Sequence, residues 1–230
     1  IAGGVATSAV AEFAVNETTF VEQTTGAQRS FSSSSAADTA AGTGARTIQL
    51  TYYVLAAGVV TGPFTETITM SGVAAVNTVA TNITLVEKIE VMTAGTGGVN
   101  AGIITMFAAA AGAGGAIASI AVGDRRTNYA HHYVASGRTC LLTDFYTMTT
   151  VSSAQLPQFS ARSLDYATTN AAERIIFDNA AQIGSSSRTQ TSFLHVPRRV
   201  TGPARIQFYV TTTVGTSQNA AVEASYYEIT

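Results

Sequence analysis

Three histidines, one cysteine and thinly spread carboxylates are all that this sequence offers to reactive chemistry. A hydrolytic centre needs a nucleophile, a base and an orienting group within hydrogen-bond reach. His131 and His132 are neighbours in AHHYV, which reads as a strand, so their side chains leave opposite faces and cannot serve one site. His195 stands in FLHVP, a strand running into a proline, and no G-x-S-x-G elbow supplies it with a nucleophile. The expectation is a chain without catalytic residues, not an enzyme.

Metal and phosphate chemistry fare no better. A transition-metal centre gathers several His, Cys or carboxylate ligands, whereas Asp124, Asp144, Asp165 and Asp178 are each isolated and read as turn-capping residues. Cys140, the lone cysteine, can form no intramolecular disulfide and reads as a small buried hydrophobe in the strand TCLL. The glycine-rich TAGTGGVNAG (93–102) contains no lysine and leads into the strand IITMF, whereas a phosphate loop opens a helix and ends in Gly-Lys-Ser/Thr. Gly97-Gly98 therefore reads as the tight turn of a β-hairpin joining VEKIEVM to IITMF. No cofactor and no metal are expected.

Composition narrows the partners. Charged residues make up 11% of the chain, against about 25% in an ordinary soluble domain. Thr, Ser, Ala, Asn and Gly must cover the surface instead, and such groups are cheap to desolvate in subunit contacts. With a net charge of −2 and a single lysine, Lys88, the chain lacks the clustered cations that release counterions from a phosphate backbone, so nucleic acid is not an expected partner. The basic residues are scattered apart from Arg125-Arg126 and Arg198-Arg199. No basic leader precedes Arg29, which argues against a retained signal peptide, and the Ala/Gly passage 107–122 is too weakly apolar to span a bilayer. No membrane association is expected.

The elements that would position any site are strands. From Arg46 the apolar period is two: RTIQLTYYV places Ile48, Leu50 and Tyr52 on one face, and FTETITM aligns Phe64, Ile68 and Met70 with the anomalous Glu66. HHYV, TCLLTDFYTMTT, QFSARSLDY, AERIIFD, TSFLHVP, ARIQFYVTTT and AVEASYYEI follow, short and separated by turn residues. The predicted fold is all-β, an antiparallel, jelly-roll-like β-sandwich over 46–230, as one domain or as halves 46–110 and 115–230. A short helix over Val76–Ile83 is an alternative that the β-branched content disfavours. Residues 1–45, including the run RSFSSSSAADTAAGTGA, read as an extended N-terminal arm that orders against a neighbouring subunit, with Phe13, Phe20 and Phe31 as its anchors, or equally as a flexible leader.

The ordered series AQRSFSSSSAADTAAGTGARTIQLTYY, GPFTETITMSGVAAVNT, TAGTGGVNAGIITM, NYAHHYVASGRTCLLTDFY and VTGPARIQFYVTTT resembles virion structural proteins of tailed bacteriophages and prophages, over residues 27 to 230. That resemblance implies a decoration, collar, fibre or tail-associated subunit on the exterior of the particle. It also implies assembly in the host cytoplasm and partnership with itself and other virion proteins. Two rival readings stand beside it. One is a glycan- or receptor-binding module using loops around residues 150–190 and some of the nine tyrosines. The other is a subunit of an extracellular filament in which residues 1–45 donate a strand to the next sheet.

Overall fold

Alternating Thr, β-branched and aromatic residues fold into antiparallel strands throughout the residues described by the computed structural model, which are 2–5, 11–12, 20–127, 129, 131–150, 158–167, 174–180, 188–211 and 219–229. In chain order the strands are β1 (Ala2–Val5), β2 (Ala11–Glu12), β3 (Ser30–Ser33), β4 (Ala45–Ala56), β5 (Val59–Thr69), β6 (Val76–Asn77), β7 (Leu85–Ala94) and β8 (Ile104–Phe107). There follow β9 (Ala116–Ile120), β10 (His131–Val134), β11 (Thr139–Thr150), β12 (Gln158–Asp165), β13 (Arg174–Ala180), β14 (Arg188–Thr201), β15 (Ala204–Thr211) and β16 (Asn219–Ile229). The helix weighed for Val76–Ile83 does not form: Val76 and Asn77 pair with β3 as the short strand β6. The chain is all-β, made of several antiparallel sheets.

Two compact units divide it. The first comprises residues 1–16, 58–60 and 128–230, and the second 17–57 and 61–127. Their boundaries do not follow the division expected at residue 45, nor the halves 46–110 and 115–230.

The reason lies in the low-complexity run. Phe31 in β3 is fully buried, and β3 pairs with β8 on one side and β6 on the other. Asp38, also fully buried, accepts hydrogen bonds through Oδ1 from the amides of Ala45 (2.6 Å) and Ala101 (2.8 Å), and through Oδ2 from Ser33 Oγ (2.6 Å) and the amide of Gly102 (2.9 Å). One carboxylate thus organises a turn that could bury little apolar area by itself. Burial alone would raise the Asp38 carboxyl, but the four hydrogen bonds outweigh it and hold the group below its ordinary value. Of the three expected arm anchors, Phe31 is a core residue of its own unit, Phe20 is half-buried, and Phe13 lies outside the described residues.

The second unit contains a sheet of order β6-β3-β8-β9 and another of order β5-β4-β7. Ile48 and Leu50 of β4 are buried, as the alternation predicts, and a register shift follows between Thr51 and Tyr52. Glu66, the anomaly in the apolar row of β5, accepts hydrogen bonds from the amides of Val79 (2.6 Å) and Ala80 (3.1 Å) and so anchors the segment after β6. Arg29 is 2% exposed and donates to the carbonyls of Ile83, Thr25 and Ala108, tying three segments together. Burial holds its guanidinium below the ordinary value.

The predicted hairpin between β7 and β8 is overturned. β7 pairs with β4 whereas β8 pairs with β3 and β9, so residues 95–103 cross from one sheet to the other. The glycines allow the crossing because the amides of Gly95 and Gly97 donate to the carbonyls of Gly44 and Thr43, while Asp38 holds Ala101 and Gly102. Gly95 and Gly97 serve close backbone approach, and Gly98, at φ +72° with its amide donating to the Gly95 carbonyl, makes a tight turn that leads into the other sheet rather than back along β7.

In the first unit, one sheet has the order β1-β16-β11-β14 and the other β10-β15-β12-β13, with β2 pairing the far end of β15. Leu142, Cys140, Val134, Ala161, Val200, Ile206 and Phe208 are buried. The N-terminal segment contributes to both sheets: Ala2–Val5 pair with Asn219–Val222, and Ala11 and Glu12 pair with Val210 and Tyr209.

Candidate functional site: a polar latch and an arginine-lined cleft

The two adjacent histidines of β10 do separate, as strand geometry requires. His131 stacks on Tyr129 with ring centroids 5.3 Å apart and meets Tyr133 edge-on at 5.0 Å. His132 emerges on the other face and lies against Tyr226, centroid to centroid 4.2 Å. Its Nε2 is 2.9 Å from Glu228 Oε1, and Tyr226 Oη is 3.2 Å from Nδ1. An ionised Glu228 fixes the Nε2–H tautomer of the neutral ring, which leaves Nδ1 to accept from the tyrosine hydroxyl.

Arg138 completes the group, with a guanidinium nitrogen 3.3 Å from Glu228 Oε2. The hydrogen bond from His132 is the first cause that holds the Glu228 carboxyl below its ordinary value; burial opposes it, and the charge of Arg138 assists, as does that of His132 when its ring is protonated. Cys140 lies directly opposite Glu228 in the β11–β16 register. Burial, and then the Glu228 charge, push its thiol up to about 12, so it is no nucleophile at neutral pH. The cluster holds a base and a carboxylate but has no activated nucleophile, and its chemistry is that of a latch between β10 of one sheet and β16 of the other.

The same face of the second sheet leads to a cleft. His132 pairs with Ile206, Ile206 with Ser163, and Ser163 with Arg174, so one cross-strand row runs from the buried histidine to an exposed arginine. Facing that end is β14, the outer strand of the other sheet. Opposite the single residue Thr143, β14 accommodates four residues, 194–197, because Leu142 pairs with Arg198 and Asp144 with Phe193. A bulge of this kind redirects the chain that follows. Between β14 and the β12–β13 pair opens a cleft of about 550 Å³, lined among others by Arg174, Arg198, Arg199, Asp165, Ser163 and Thr201.

The structure distributes the other sequence candidates as follows. His195 falls in the β14 bulge, and its side chain lies outside what is described. Asp165 caps a turn, accepting from the Ala167 amide at 2.8 Å. The side chains of Asp144 and Asp178 also lie outside the described set, as do residues 151–157, 168–173 and 181–187 within the region considered for glycan binding. Among the described residues no three of His, Cys, Asp and Glu converge as metal ligands. No helix among them is long and apolar enough to cross a membrane.

Sequence reasoning missed Glu228 and Arg174, and singled out Tyr226 only as one of nine tyrosines open to a glycan. The pair Arg198-Arg199 was the one visible signal. Compared with known proteins, the chain matches no family model and no curated sequence.

Proposed function

We propose that the chain is a non-enzymatic structural subunit of a tailed-bacteriophage virion, a jelly-roll-like β-sandwich protein that forms a homo-oligomeric exterior assembly such as a decoration, collar, fibre or tail-associated layer. The observation that carries this reading is edge pairing by the N-terminal segment. Residues 2–5 add a strand to β16 and residues 11–12 add one to β15, so one short segment augments both sheets of the first unit. Such pairing is made of main-chain hydrogen bonds and transfers unchanged to a neighbour's sheets when subunits exchange the segment.

Edges remain for further contacts. β1 covers only Asn219–Val222, and among the described strands nothing pairs with the outer edge of β16 from Glu223 to Ile229. Tyr227 and Ile229 on that stretch are 67% and 48% exposed. A long edge with exposed apolar side chains is a liability in a monomer and an asset in an assembly. A surface poor in charge adds little desolvation penalty to such contacts.

The test is the solution mass by light scattering of the full chain and of a chain starting at Glu17. That start leaves β3 and Asp38 in place, whereas one near residue 45 would remove both from the second unit. An oligomer that dissociates when residues 1–16 are removed supports the reading. A full chain that stays monomeric at high concentration, and antibodies against it that label no phage particle, would overturn it.

A further inference from the structure

We propose that the arginine-lined cleft of the first unit binds a carboxylated saccharide, the carboxylate engaged by arginine and the ring hydroxyls by Asp165, Ser163 and Thr201. The inference is independent of the assembly role, since none of the described residues that line the cleft belongs to the N-terminal segment.

Charge distribution is the first ground. The chain is poor in cations, yet Arg174, Arg198 and Arg199 line one cleft, and all three are exposed. None makes an ion pair with another described residue, so none is committed to holding the fold. They come from two sheets: Arg174 opens β13, whereas Arg198 and Arg199 follow the β14 bulge. That convergence is a product of the fold rather than of a local basic run: Arg198 pairs with buried Leu142 and Arg174 shares its row with buried Ile206, so both are on the inner faces of their sheets, whereas Arg199, next to Arg198 in the strand, leaves the opposite face and borders the cleft only at the strand edge.

The second ground is the type of cation. All three are arginines, whose planar forks match a carboxylate bidentately, and the chain's only lysine, Lys88, belongs to the other unit, where it pairs with Glu90 at 2.6 Å. The third is the company they keep. Asp165 lends one oxygen to the Ala167 amide, and its other oxygen has no partner among the described residues. A carboxylate there opposes a compact dianion but accepts from sugar hydroxyls. Ser163 and Thr201 add hydroxyls, and a cleft of about 550 Å³ falls in the size range of small-ligand sites. Three arginines in one cleft are too few to track a nucleic-acid backbone, which needs many phosphate contacts.

Isothermal titration calorimetry on the full chain tests the inference, using digalacturonate, diglucuronate and sialyllactose, the methyl ester of each, inorganic sulfate and a single-stranded oligonucleotide. At least one acid should bind, with its ester weakened tenfold or more, about the loss expected when a charged hydrogen-bonding group is removed. The double substitution Arg174→Ala with Arg198→Ala should abolish measurable binding. Arg198→Lys, which keeps the charge, should weaken it severalfold because the fork is lost. Asp165→Asn should weaken saccharide binding while improving that of sulfate. Circular dichroism on each variant establishes that it is folded, and Arg198→Lys keeps the test meaningful if the double variant is not. Failure of all three acids to bind at millimolar concentration, equal binding of acid and ester, or sulfate or oligonucleotide binding more tightly than every saccharide would each overturn the proposal.

Discussion

Replacing Asp38 should unfold the second unit more effectively than any surface change. The carboxylate is fully buried and accepts from four donors, two on each oxygen: Ala45 and Ala101 amides on Oδ1, Ser33 hydroxyl and Gly102 amide on Oδ2. In Asp38→Asn the side-chain NH2 must replace one of these oxygens, and either orientation sets it against at least one backbone N–H. Ser33 can rotate to accept, but Gly102 cannot. One or two buried donors lose their acceptor, at about 1–3 kcal/mol each, so the expected loss is about 3 kcal/mol. Asp38→Ala strands all four and, at the same rate per donor, should cost about 4 kcal/mol or more. For a unit of this size 3 kcal/mol lowers the melting temperature by about 10–20 °C. Urea denaturation of the full chain measures the loss, and hydrogen exchange at the Ala45, Ala101 and Gly102 amides localises it. The sign with pH is also fixed: because the folded carboxyl is held below its ordinary value, its stabilisation is present above the unfolded pKa and disappears as pH falls through the folded one. A loss under about 1 kcal/mol for Asp38→Asn, or unchanged exchange at those amides, would refute the assignment of this carboxylate as the organiser of the run.

Arg29→Met should cost about 2–4 kcal/mol in denaturant titrations, because the carbonyls of Ile83, Thr25 and Ala108 lose their donor in a buried site. Glu228→Gln should cost about 1–2 kcal/mol at neutral pH and flatten the acid side of the stability profile, since a depressed carboxyl stabilises above its unfolded pKa and ceases to as pH falls through the folded one; an unchanged profile would count against the latch. Cys140, fully buried with its thiol pushed up to about 12, should resist alkylation in the native protein and react at the rate of opening of the first unit, whereas immediate labelling would contradict its burial. Gly44→Ala would place a Cβ 2.0 Å from Asp38 Oδ1 and should destabilise strongly, while Gly115→Ala meets nothing within 4 Å and should be neutral or slightly stabilising by thermal melt.

The strands were legible because their signal is local. TCLLTDFYTMTT is β11 residue for residue, and the period of two in β4 holds until the register shift after Thr51. What escaped was whatever depends on distant backbone. TAGTGG has the glycines of a hairpin and does turn at Gly95–Gly98, but the sheet into which the turn leads depends on contacts with residues 43 and 44, some fifty positions earlier. The serine run looked unable to hold itself because its organising acceptor is one aspartate, and one aspartate in a polar stretch carries no periodic signature. The candidate sites were hidden in the same way. His132 and Glu228 are 96 positions apart and meet only because β10 and β16 belong to facing sheets. Arg174 joins Arg198 through the β12–β13 register and a bulge, and neither follows from propensity.

Scarcity of charge makes the position of each ionised group informative. Arg29 and Asp38 are buried and saturated by backbone carbonyls, amides and a hydroxyl, and Glu228 is largely enclosed by His132 and Arg138, so these three groups fix loops and join sheets. Arg174, Arg198 and Arg199 are exposed and have no ionic partner among the described residues, so the fold does not depend on them in the same way. The two classes therefore separate under mutation. Changes at the buried positions should lower stability by several kcal/mol, whereas alanine at the cleft arginines should shift it by about 0.5 kcal/mol or less. Stability lost on removing the cleft arginines would place them among the structural charges. Stability retained while the cleft loses its affinity for acids on removal of Arg174 and Arg198 would mean that a chain with few charges holds these two for a ligand.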